Sequence, residues 1–158
     1  MRHEISRGDA SINNTHLPKN IISKLYPTIP QPPSPNPLNI SAYEGIYTHP
    51  AYPDLRISSS CPNQESTTQG LECRIPDLCA SIVNPNEYSK YLPIDLFHVS
   101  GTFWVQIAKR WGVLDATRLE FRIDPNGVVS WLGIEIETVM RVHEQKIWWK
   151  RMNIHDRC

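Results

Sequence analysis

Residues 118 to 127 set the tightest constraint on what this chain can become. Arg118-Leu119-Glu120-Phe121-Arg122-Ile123-Asp124 alternates charged and apolar side chains without a break, the period-two pattern of a strand that buries Leu119, Phe121 and Ile123 on one face. Pro125-Asn126-Gly127 then turns the chain. Asp-Pro-Asn-Gly suits a type I turn with glycine in the left-handed position, so Val128 to Glu137 is expected to return antiparallel. In that second strand Val129 and Trp131 share one phase while Ile134 and Ile136 share the other. A bulge near Leu132-Gly133 would reconcile them. After the polar break Arg141-Val142-His143-Glu144-Gln145, Lys146 to Met152 reads as a closing strand. The expected product is a bent antiparallel meander, the local requirement of a barrel.

Further strands are expected upstream. Ser41 to His49 and Leu55 to Ser58 read as a hairpin, Leu71 to Arg74 and Cys79 to Val83 as weaker candidates, and Asp95 to Val99 with Thr102 to Lys109 as a pair around Ser100-Gly101. About eight short strands spaced by roughly ten residues is the habit of an all-β sandwich or up-and-down antiparallel barrel. Ahead of them, residues 1 to 40 read as a flexible N-terminal segment ending in a linker. They carry one of fourteen aromatics, and six prolines crowd Pro27 to Pro37. Leu17 to Tyr26 is expected to form at most a turn or two of amphipathic helix with Ile21, Ile22 and Leu25 on one face. The folded domain is placed at 41 to 158.

Sixteen basic and sixteen acidic residues cancel without like-charge blocks, so neither nucleic acid nor an anionic membrane recommends itself as a partner. A run of about eighteen apolar residues is missing and Met1 to Ala10 is polar, which gives a cytoplasmic location as the expectation. Four cysteines, Cys61, Cys73, Cys79 and Cys158, lack zinc spacing. Free thiols are the expectation for that location, with a disulfide from Cys61 or Cys73 to Cys79 as the alternative. The six histidines show neither HxH nor HxxxH spacing, and no metal or other cofactor is expected.

Ser41 to Tyr52, Val99-Ser100-Gly101, Glu120-Phe121-Arg122 with Gly127, Leu132 to Glu137, and Lys146 to Arg151 together resemble the C-terminal lipocalin-like domain of fungal serine beta-lactamase-like proteins, the penicillin-binding-protein and transesterase type. The resemblance covers roughly residues 41 to 152. It implies an eight-stranded lipocalin-like barrel, with the proline-rich stretch as an interdomain connection. That family's chemistry resides in a larger catalytic domain carrying Ser-x-x-Lys and a Tyr-x-Asn-like element. Neither occurs here, since no serine is followed three residues later by lysine. The resemblance therefore implies an accessory domain and argues against beta-lactamase or esterase activity by this chain itself.

Among the remaining groups, Glu135 and Glu137 share a phase opposite Ile134 and Ile136 and are expected in water near Lys146, Lys150 or Arg122. His98 lies between Phe97 and Val99 and is expected to face outward if those two face the core. A slipped register would instead make it a general acid or base in the cavity, and it is the one catalytic candidate. His49 is expected to cap a strand end. Tyr47, Phe97, Trp104, Phe121 and Trp131 are the aromatics expected to line a ligand site. Adjacent Trp148 and Trp149 must face opposite sides, leaving one for a neighbouring domain or a homodimer. Three functions follow as expectations: a non-catalytic module binding a small apolar molecule or a partner protein, a small isomerase or cyclase of fungal secondary metabolism, and a remnant of a split hydrolase.

Overall fold

The computed structural model describes residues 20–61, 75–86, 94–110, 113–136 and 145–153, the side chains of 109, 110 and 113 aside. The strands are β1 Gly45–Thr48, β2 Leu55–Ser58, β3 Leu78–Ile82, β4 Ile94–Ser100, β5 Phe103–Arg110, β6 Val113–Ile123, β7 Val129–Ile134 and β8 Ile147–Arg151. Each pairs antiparallel with its chain neighbour, and β8 pairs back onto β1 to close the barrel. The eight-stranded all-β barrel expected from the spacing is what the chain forms. The weak strand candidate Leu71 to Arg74 lies outside the described residues.

The hairpin at its centre is built as its residues dictate. Asp124 Oδ1 accepts from the amides of Asn126 and Val128, both at 2.9 Å, and Gly127 takes the left-handed conformation at φ +80°. The bulge, however, falls two residues earlier than expected. Ile123 pairs with Val129 and Arg122 with Trp131, so Ser130 is the extra residue. Val129, Leu132 and Ile134 thereby face inward and Trp131 faces out, 38% exposed.

Gly133 sits in regular register and serves a different purpose. Its cross-strand partner Trp148 lies flat over it, so that an added Cβ would stand 2.7 Å from Cζ3 of the ring. The Arg122 guanidinium covers the same indole, 3.6 Å from the ring centroid. Trp149, one residue on, is buried inside, so the two tryptophans do split between faces. Gly133→Ala is expected to destabilise the barrel by about 1–3 kcal/mol in urea unfolding, because the indole has to leave both glycine and guanidinium. In a Trp148→Ala background the same methyl is expected to cost far less, and an unchanged cost there would refute the packing argument.

Two apolar clusters lie on opposite sides of the sheet. Inside, every strand contributes: Tyr47, Ile57, Leu78, Leu96, Trp104, Leu119, Phe121, Leu132, Ile147 and Trp149 are all members. Outside, Phe97 and Val99 of β4, Val105 and Ile107 of β5 and Ala116 of β6 form a second patch. It is covered by α1 (Ile21–Leu25) and the residues after it, with Ile21, Ile22, Leu25, Tyr26 and Ile29 against it. The expected short amphipathic helix is therefore present, and residues 20–40 pack on the barrel where a free linker was expected. Proline's inability to donate still shows, since none of this stretch joins the sheet. Tyr26 anchors it. Its hydroxyl donates to the Trp104 carbonyl at 2.6 Å with the Leu119 carbonyl at 3.2 Å, and burial, then the Glu135 and Glu120 carboxylates, hold it above the usual tyrosine range.

Two further expectations are corrected. Glu135 is not solvated: it is fully buried, with Arg118 Nε 2.8 Å from Oε1, while Ile136 is 42% exposed. Arg118 precedes Leu119 and Glu135 follows its partner Ile134, which places both on the outer phase, beside the stretch that Tyr26 pins down. Glu137 lies outside the described residues. The two described cysteines are not free either: Cys61 and Cys79 form the disulfide given as the alternative, with Cα atoms 5.6 Å apart, and Cys73 and Cys158 lie outside the described residues. Cys79 on β3 pairs with Ser58 at the end of β2, which puts Cys61 three residues on within bonding reach.

Candidate functional site

The inward phase of β4, β5 and β6 can be read directly from the ladder. His98 faces Trp104, Leu96 faces Gln106 and Ile94 faces Ala108 across β4–β5; Trp104 faces Leu119, Gln106 faces Thr117 and Ala108 faces Asp115 across β5–β6. These rows run from one end of the barrel to the other, and the two ends are finished differently.

One end is sealed. Ser34 donates its amide to Ser100 Oγ at 2.9 Å and accepts from the Gly101 amide at 3.1 Å, and Leu38 and Ile40 pack onto the interior cluster as the chain runs on to Tyr43. The Tyr43 hydroxyl donates to Asn36 Oδ1, and its ring lies edge-on to Phe121 at 4.8 Å and Trp104 at 5.3 Å. Tyr47 donates to the Tyr43 carbonyl at 2.7 Å and reaches Phe121 at 6.0 Å. Gly45 begins the first strand at φ +148°, a conformation that glycine alone tolerates, with Arg151 filling the space a side chain would take. Arg151 in turn donates to the carbonyls of Glu44 and Val129 and locks β8 to this end.

At the opposite end His49 and Tyr52 lie against Trp149, whose Nε1 donates to the Pro53 carbonyl at 3.1 Å, so among the described residues the β1 and β8 side is covered while the β3 to β6 side is less so. There the inward-facing Ile82, Ile94, Gln106 and Ala108 are half-buried and Asp115 is exposed, so solvent reaches side chains that belong to the interior phase. Thr117, one rung deeper, is buried.

Of the five aromatics expected at a ligand site, Tyr47, Trp104 and Phe121 come together inside, at the sealed end. Phe97 does not join them. It lies on the outer face under α1 because the register puts Leu96 and His98, not Phe97 and Val99, on the inward phase. Trp131 is carried outward by the bulge at Ser130. His98 correspondingly turns inward, half-buried and edge-on to Trp104 at 5.2 Å, contrary to the outward placement expected. Its Nε2 lies 2.9 Å from the Gly101 carbonyl, which can only accept, so Nε2 is the donor of that bond. His49 caps the β1 end as expected, its Nδ1 accepting from the Ala51 amide at 3.0 Å. Among the described residues no group of three His, Cys, Asp or Glu side chains is placed to hold a metal ion.

Among the described residues four buried side chains hold polar atoms without hydrogen-bond partners: Asn36 Nδ2 and Trp104 Nε1 towards the sealed end, Thr117 Oγ1 near the open one, and the two carboxylate oxygens of Glu135, whose charge faces Arg118. Thr117 escapes a reading that begins the strand at Arg118. Extending the alternation one residue back from Arg118 would have placed Thr117 in phase with Leu119.

Over 134 residues the chain is 27% identical to unguisins hydrolase ungD of Aspergillus violaceofuscus, and over 140 residues 29% identical to unguisins hydrolase ungD' of Aspergillus campestris. The chain is similar to part of a fungal hydrolase. Each match takes in 84% of this chain but only 21% and 22% of those proteins, so the chain spans about a fifth of the curated relatives it matches. No family model matches, and no solved structure matches. Among the described residues no helix is long and apolar enough to cross a membrane.

Proposed function

We propose that this chain is an accessory barrel unit of the hydrolase lineage and that it holds a small apolar molecule at its open end. One observation carries the reading: interior-phase side chains, Ile82, Ile94, Gln106 and Ala108, are half-buried around one end, while Tyr43, Trp104 and Phe121 close the other. A cup with one floor and one mouth presents apolar wall to a solute and excludes water below it. The partial likeness to two hydrolases supports an accessory role, as does the resemblance of residues 41 to 152 to the lipocalin-like domain of beta-lactamase-like proteins. The missing Ser-x-x-Lys agrees with both. On this reading the hydrolytic serine lies outside these 158 residues, and the barrel contributes binding.

The test is fluorescence titration of the chain with N-phenyl-1-naphthylamine, a neutral apolar reporter. Saturable binding is expected, with Ala108→Trp, which places a bulky ring at the mouth, weakening it by at least about tenfold. Binding that is absent, or indifferent to Ala108→Trp, would reject the open end as the site.

A further inference from the structure

We infer that the open end reads an uncharged amide-like group on its apolar ligand through the Thr117 hydroxyl, with Gln106 beside it; this rests on the open-end reading above. Thr117 is 4% exposed and its Oγ1 has no hydrogen-bond partner. Buried hydroxyls are ordinarily paired, since burial without a partner forfeits the hydrogen bonds water would supply. Neighbouring backbone does not relieve it, because β5 and β6 spend their amides and carbonyls on the ladder in which Gln106 and Thr117 are direct partners. The hydroxyl is thus an unpaired donor and acceptor beneath an apolar wall formed by Ile82, Ile94 and Ala108, whose side chains a ligand group has to part to reach it.

The chemistry of the pair selects the ligand's polar group. A hydroxyl can both donate and accept, and so can a primary carboxamide such as Gln106. An amide in the ligand matches both partners at once. A carboxylate does not, because the described inward residues around Thr117 offer no cation to offset its desolvation and the nearest charged one, Asp115 at the rim, is itself acidic. Water is the competing occupant, since a single molecule bridging Thr117 and Gln106 would satisfy the same hydroxyl.

Octanamide and octanoate, used as displacers of N-phenyl-1-naphthylamine, separate these outcomes. Octanamide is expected to displace the reporter at a concentration at least about tenfold lower than octanoate. The isosteric Thr117→Val is expected to raise the octanamide midpoint by about tenfold, with Thr117→Ser keeping it near the original value and Gln106→Leu raising it in the same sense. Octanamide midpoints are corrected for each variant's own reporter affinity, and a far-UV circular dichroism spectrum unchanged from the parent controls for the fold. If the reporter binds normally and Thr117→Val leaves the octanamide midpoint unmoved, the hydroxyl is paired with water and the inference fails while the open-end site stands. If octanoate displaces as well as octanamide, the selection for an uncharged group fails. If the reporter does not bind at all, the site and the inference fall together.

Discussion

Glu135→Ala is expected to lower the unfolding free energy by about 3–5 kcal/mol, the usual result of removing one partner of a buried ion pair. The carboxylate is fully buried and Arg118 Nε stands 2.8 Å from it. Deleting it removes that carboxylate from an arginine whose side chain is only 15% exposed. That residual exposure lets water reach part of the group, which puts the loss at the lower side of the range. Urea unfolding followed by circular dichroism measures it. Replacing both members, Arg118→Met with Glu135→Leu, is expected to recover most of the loss, because two apolar side chains avoid the desolvation that the ion pair has to offset. A Glu135→Ala variant as stable as the parent would mean that the pair contributes nothing at this seam.

Trp104→Ala is expected to cost about 3–5 kcal/mol, the range for deleting a large buried aromatic. The indole is fully buried and meets Tyr43, Phe121 and His98 at centroid distances of 5.3, 5.5 and 5.2 Å, so a cavity there opens the middle of the sealed end. Trp104→Phe is expected to cost less than about 1.5 kcal/mol, since it keeps most of the ring packing and discards an indole N–H that has no acceptor. The gap between the two variants separates the worth of the ring from the worth of its nitrogen. A phenylalanine variant as damaged as the alanine one would show that the nitrogen is bonded in solution.

Most of the sheet is legible in the sequence because strand order in a meander is chain order and each strand's period is two. The Asp124 to Gly127 turn was readable for the same local reason, since its side-chain and glycine chemistry lie within four residues. What was not legible is which face of an apolar strand looks inward when both faces are covered. Phe97 and Val99 are as greasy as a core demands, yet they belong to the outer patch, and that choice puts His98 inside. The covering comes from Ile21 to Ile29, some seventy residues earlier in the chain, where a short helix ahead of prolines looks like connective material. Glu135 follows the same logic, because a glutamate on the outer phase is solvated unless something distant in the chain lies over it. Glycine signals a bend, which draws the expected bulge to the neighbourhood of Leu132-Gly133, whereas Gly133 makes room for an indole and the bulge lies at Ser130. Thr117 was missed at a strand boundary, the least certain part of any strand reading.

The segment that crosses from Ile21 to Tyr43 has a practical corollary for anyone cutting this barrel free of its surroundings. Trimming at Ser41, where composition alone puts the start of the domain, would strip the wrapping from Phe97, Val99, Val105, Ile107 and Ala116 and unpin the cap from Ser100 and Gly101. Such a bare-flanked cylinder would offer neighbouring molecules an adhesive wall and would clump before it could be assayed. The smallest self-sufficient piece of this protein therefore starts on the far side of the prolines, at or before Asn20.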